Sequence, residues 1–294
     1  MNLLEAMKTL TPTTTQPEVI PSFLYGAFRR KSISFFNGLT DQNTIVYWFQ
    51  SRSFTIDLRL KSQNDTSVTE RQGWIGNTVW DDATQLLSWE VEDYANYQNH
   101  VQWPEPAKLH AIGNCILEFS PSNVYVEDWR QQVKKGLFLG LRLESAIDVQ
   151  SGTKLQMDGG LIICDDHIAY ALTRLPEVQS QVAELDIKSA DATSFDLLES
   201  FEVSIGTQGF SKIYSTRTGE TGHDFDLDNF EILDVVTHLV QHVEVEGRAI
   251  DLIFEIDIYQ PEYEFQHMTT TTAEAAQWMS AEQSHLLHHA ERVL

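Results

Sequence analysis

The stretch SFTIDLRL, residues 53–60, alternates without a break. In an extended chain Phe54, Ile56, Leu58 and Leu60 fall on one side, and Ser53, Thr55, Asp57 and Arg59 on the other. A period of two, carried by aromatic and branched residues, reads as a β-strand. The pattern recurs at 32–36, 44–50, 73–79, 85–92, 111–119, 123–129, 137–144, 155–164 and 167–173, each run bounded by Gly, Asn, Asp, Ser or Pro. Asp81-Asp82, Pro121-Ser122-Asn123 and Asp165-Asp166 supply tight polar turns. Links this short leave no room for crossover helices, so an antiparallel meander is expected. A long meander has two exposed edges, and closure into a barrel removes them. A barrel of about eight strands can enclose one small ligand.

Outside this block the pattern changes. Residues 1–20, with a Thr/Pro cluster, read as a flexible lead-in, and FLYGAFRR at 23–30 as one or two helical turns. PEVQSQVAEL at 176–185 suits a short helix before a polar linker. Four more strands are expected at 195–205, 212–216, 230–244 and 248–259, with Glu246-Gly247 as a hairpin turn. Thr272 caps an expected terminal helix. The expected fold is therefore mostly β: an antiparallel barrel over 21–180, a second smaller β unit or barrel extension over 181–268, and a C-terminal helix within 269–294.

The 294 residues include 43 acidic and 20 basic side chains, a net charge of −23. Such a surface repels phosphate backbones and anionic headgroups, so neither nucleic acid nor membrane is an expected partner. Cys115 and Cys164 sit in apolar runs and read as buried free thiols of a reducing compartment. The N-terminus lacks the basic and apolar regions of a signal peptide, and no run is long enough to cross a bilayer. A cytoplasmic protein is expected.

Candidate binding residues follow from the strand faces. Asp57 and Arg59 share a face; Asp and Arg are mostly exposed, so that face is expected outward as a solvated ion pair. Turned inward, the pair would be buried and would orient a polar ligand group. Glu90 lies on one strand and Glu118 on another, while Tyr125, Glu127 and Trp129 share a face of the strand that folds back on Glu118. A carboxyl in an aromatic cavity has a raised pKa and can act as acid or base. Trp48 and Trp89, with Trp74, Trp80, Trp103 and Trp129, concentrate aromatic bulk in the first half, fit for a cavity lining or a packed core. The candidate ligand-binding set is Trp48, Asp57, Arg59, Trp89, Glu90, Glu118, Tyr125, Glu127 and Trp129.

Metal and nucleotide chemistry find little support. His285 and His289 are four apart on the expected terminal helix, and His238 and His242 share a strand face, but neither pair has a third ligand nearby. HDFDLDN at 223–229 alternates acids like a calcium loop, yet lacks its Gly and its final Glu, and reads as an acidic surface loop. Dinucleotide, phosphate-loop and serine-hydrolase motifs are missing. No cofactor and no metal are expected.

The stretches GNCILEFSPSNVYVEDWRQ, DGGLIICDDHIAYALTR and FEVSIGTQGFSKIYSTRTG resemble a poorly characterised lipocalin-like (calycin-like) β-barrel family with bacterial members and a small fungal protein of unknown function. The resemblance covers about residues 40–240 and implies a fold but no settled activity. Three functions remain open. The first is binding of a small, largely apolar molecule in the barrel. The second is a cofactor-independent isomerase, cyclase or lyase that uses cavity carboxylates. The third is an interaction protein with a filled core, working through its terminal helix or an acidic face; a homodimer is one assembly that helix would allow. Titratable groups converging on an enclosed pocket would favour catalysis, and a purely apolar lining would favour carriage.

Overall fold

A computed structural model describes residues 1–13, 19–61, 66–100, 105–207, 209–265 and 268–291. Trp103 and parts of the Thr/Pro cluster lie outside the described residues. The chain is mostly β. Strands β1 (Gly26–Phe35), β2 (Thr40–Asp41), β3 (Ile45–Gln50), β4 (Phe54–Leu60), β5 (Gln72–Asp81), β6 (Leu86–Glu90), β7 (Ala107–Ile112), β8 (Cys115–Phe119) and β9 (Tyr125–Gln131) form one antiparallel sheet. β1 pairs with both β3 and β9, so eight of these strands close into a barrel and β2 rides on the edge of β1.

Once β9 is paired with both β8 and β1, the barrel offers no open edge. The chain therefore starts a second sheet. Its strands are β10 (Lys135–Asp148), β11 (Lys154–Leu155), β12 (Gly159–Cys164), β13 (His167–Leu172), β14 (Glu202–Thr207), β15 (Ser211–Ser215), β16 (Phe230–Asp234), β17 (His238–Val245) and β18 (Arg248–Glu264). They run in the order β15-β14-β13-β12-β10-β18-β17-β16, with β11 on β10. The closed ring thus spans 26–131, and the strands between 135 and 172 belong to the second sheet. The α-helices among the described residues are α1 (Leu3–Ala6), α2 (Pro176–Ala183), α3 (Phe195–Glu199) and α4 (Ala273–Leu286).

Several local expectations need correction. The segment at 23–30 is a short turn followed by β1, because Gly26 to Arg30 pair with β3 and β9 instead of coiling. The run at 111–119 is not one strand: Gly113, at φ +60°, turns it into the β7–β8 hairpin. Residues 195–199 are helical, and 230–244 break into two strands at 235–237. Cys164 is buried, but Cys115 is only half-buried. Residues 1–13 are packed: Leu3, Ala6, Met7 and Leu10 are buried, Leu3 N donates to Leu227 O, and the Tyr259 hydroxyl donates to Met7 O. No described helix is long and apolar enough to cross a membrane.

The second sheet explains why so many strands are apolar on both faces. Phe138, Ile162, Ala169, Ala171, Val203 and Ile205 pack against the outer face of β3 and β4, where Tyr47, Phe49, Phe54, Ile56 and Leu58 are also buried. The alternate residues Leu139, Leu141, Leu161, Ile163 and Ile168 build a second core with Leu3, Met7 and Phe254. A strand covered on both sides needs no polar face, so GGLIIC and IVYWFQ are buried along their whole length. One carboxylate ties the two sheets. Asp257 accepts from Ser51 Oγ (2.5 Å), Ser53 Oγ (2.7 Å) and Ser53 N (3.0 Å) in the β3–β4 turn. Gly140 lies beneath, where a Cβ would stand 2.0 Å from Ser51 Oγ. Asp257→Ala would strand the buried Ser51 hydroxyl and the half-buried Ser53 donors, and is expected to cost about 3 kcal/mol in chemical denaturation.

Candidate functional site

Strand register decides what faces the lumen. On β4 it is Thr55, Asp57 and Arg59 that point inward, because Phe54, Ile56, Leu58 and Leu60 are taken by the second sheet. The expectation of a solvated outer face is therefore overturned: Asp57 is only 2% exposed and accepts from Arg59 Nε at 2.8 Å. On β1 a bulge between Arg30 and Ser32 shifts the parity, so that Arg30 and then Ile33 and Phe35 all face the lumen. On β8 and β9, Glu118 stands directly opposite Glu127.

The lumen has two unlike halves. Toward the second sheet it is filled. Gln50 bonds the Trp48 indole (3.1 Å) and the hydroxyls of Thr55 (2.5 Å) and Thr78 (2.9 Å), closing that end with a satisfied polar network. Above it Phe28 stacks on Trp48 at 5.0 Å, and Trp129 and Trp89 meet Trp48 edge-on at 5.6 and 6.0 Å. Toward the opposite mouth the lumen opens into a cavity of about 720 Å³. Trp48, Asp57, Arg59, Trp89, Glu90, Glu118, Tyr125, Glu127 and Trp129 all line it, and the structure thus brings the whole candidate set together. Glu90 remains exposed at the edge, whereas Glu118 and Glu127 are each 4% exposed.

Arg30, Asp41 and Glu105, which the strand patterns do not single out, also line the cavity, and Trp74, expected only as part of the aromatic bulk, joins them. Arg30 is the central omission. It donates to Glu127 Oε1 at 2.6 Å and reaches Asp41 at 3.3 Å. Its signal was hidden because the bulge breaks the alternation of β1.

Glu118 is the most perturbed carboxyl of the cavity. The Tyr125 hydroxyl and the Trp129 indole N–H donate to its two oxygens at 3.1 and 3.0 Å, and both bonds favour the ionised form. Burial acts the other way, and so does the nearby charge of Glu127. Burial wins, and Glu118 is pushed up to about 8. Tyr125 is held protonated well above its usual range by burial and by both carboxylates. Arg59, paired with Asp57, stays charged throughout.

The raised value sets a sign for stability. A carboxyl that binds its proton more tightly when folded adds stability below its unfolded pKa, near 4.5, and loses it as pH rises to about 8. Glu118→Gln is always neutral. It is expected to match the parent near pH 4 and to exceed it by on the order of 4 kcal/mol at pH 9, measured by urea unfolding across pH.

A smaller cavity of about 270 Å³ lies in the second unit beside Lys212, Glu202 and Arg217. Its charges satisfy one another: Lys212 Nζ is 2.8 Å from Glu202 and 2.5 Å from Glu220. Asp224, Asp226 and Asp228 are exposed, with Phe225 and Leu227 buried between them. No group of three metal-ligating side chains occurs among the described residues. Comparison of the chain with protein-family profiles, curated proteins and solved structures gave no match.

Proposed function

We propose that the barrel binds a small molecule whose flat, largely apolar body lies among Trp74, Trp89, Trp129 and Phe35, with a polar group directed at the buried carboxyls. The observation that carries this reading is the half-filled lumen. One end is closed by a fully bonded polar network, while the other keeps about 720 Å³ walled by aromatic side chains, within the range of ligand pockets. Native mass spectrometry of the purified protein, followed by organic extraction, tests it. The expected result is a stoichiometric compound lost on denaturation, whose return quenches tryptophan emission. A ligand-free mass, with no quenching by any hydrophobic metabolite of a broad panel, would overturn it.

A second reading has its own observation. Glu118 and the Tyr125 hydroxyl form a hydrogen-bonded acid pair inside the cavity, and a carboxyl near pKa 8 suits proton transfer at neutral pH. Convergence of titratable groups on one pocket favours an isomerase, cyclase or lyase on the same guest. Prolonged incubation separates the two: a guest recovered unchanged supports carriage, and a rearranged guest whose conversion stops in Glu118→Gln supports catalysis. The filled-core reading draws no support from a lumen that keeps a cavity of about 720 Å³.

A further inference from the structure

We infer that the guest is an organic cation, an apolar ring system bearing a protonated amine, with the ammonium seated at Glu118. This rests on the reading of the cavity as a binding site and goes beyond it by fixing the charge of the guest.

The cavity carries too few positive charges of its own. Six carboxyl groups line it (Asp41, Asp57, Glu90, Glu105, Glu118 and Glu127) against two guanidinium groups and no lysine. Both guanidiniums are committed: Arg59 to Asp57, and Arg30 to Glu127 and Asp41. Glu118 is buried and bonded only to neutral donors, the Tyr125 hydroxyl and the Trp129 indole. Across the β8–β9 ladder it faces Glu127, and like charges in opposed positions repel. From β4 the charge of Arg59 acts on Glu118 through space, but its hydrogen bonds go to Asp57, and from β1 Arg30 is spent on Glu127. A guest ammonium would supply the missing charge, accept the carboxylate as partner and relieve the repulsion. The chain's net charge of −23 concentrates cations around the mouth. The apolar side chains Ile33, Phe35, Val91 and Val124 in the same wall require that the remainder of the guest be apolar.

Three matched probes separate charge from shape: 2-(1-naphthyl)ethylamine, 2-(1-naphthyl)ethanol and 1-naphthylacetate. Each is titrated into the unmodified 294-residue chain by calorimetry at pH 7.5. The amine is expected to bind at least tenfold more tightly than the alcohol, with the acid weakest. Its affinity should rise from pH 6 to 8 as Glu118 gives up its proton, while the alcohol's should not. Glu118→Gln should close the gap between amine and alcohol; a gap that persists would overturn the seat at Glu118. If the alcohol or the acid binds as tightly as the amine, the cationic guest is refuted and the binding cavity stands. If none of the three binds, both fall. The comparison in the unmodified protein needs no variant to fold.

Discussion

Replacing Arg30 by Met is expected to lower the stability of the protein by about 3–5 kcal/mol, the largest loss from any single charge in the barrel. Arg30 is buried, and its bond to Glu127 at 2.6 Å is the shortest ion pair in the lumen. Without it, the buried Glu127 carboxyl has Glu118 directly opposite and no other salt bridge among the described residues. The loss arises from the stranded carboxylate more than from the missing attraction, and this distinction is measurable. Adding Glu127→Gln to Arg30→Met removes the stranded charge and should recover most of the loss. A double variant as unstable as the sum of its parts would mean that Arg30 acts through its packing alone.

Trp48→Ala is expected to cost about 3–5 kcal/mol. Trp48 is 2% exposed and joins the two halves of the lumen: it stacks on Phe28, meets Trp89 and Trp129 edge-on, and donates to Gln50. Its loss extends the cavity toward the filled end and leaves Gln50 short of a donor. Since Gln50 also holds Thr55 and Thr78, the seal at that end should loosen with it. Urea unfolding gives the energy, and faster hydrogen exchange at the amides of β3 and β4 reports the seal. Trp80→Ala is the contrast. That indole, only half-buried, packs against the core and bonds the exposed Asp82 but does not line the cavity, and a smaller loss of about 1–2 kcal/mol is expected.

Much of this architecture is written in the strand periodicity. SFTIDLRL declares a strand with two unlike faces, and short polar turns such as Asp165-Asp166 declare antiparallel neighbours. Which face of β4 turns inward is not declared locally. Alternation gives two faces, but the choice depends on the second sheet, more than seventy residues downstream, covering Phe54 and Ile56. Solvent preference alone points Asp57 outward, and the packing reverses it. The limit of the barrel is hidden for a similar reason: β10 to β13 look like barrel strands, and only the pairing of β1 with β9 closes the ring before them. Within the site, Glu118, Tyr125, Glu127 and Trp129 are legible because one turn folds their strands together. Arg30 is not, because a bulge conceals its face and its partner lies ninety-seven residues away.

The tryptophans provide the most direct test of an occupiable lumen. Trp48, Trp74, Trp89 and Trp129 line the cavity, whereas Trp80 and the exposed Trp278 on α4 lie outside it. Their indole N–H resonances, assigned by single substitutions, can be followed in a ¹⁵N correlation spectrum while 2-(1-naphthyl)ethylamine, or any compound recovered with the protein, is added. Saturable shifts of the four lumen indoles, with Trp80 and Trp278 unmoved, are predicted. Shifts confined to Trp278 or Trp80, with the lumen signals fixed at saturation, would contradict the account.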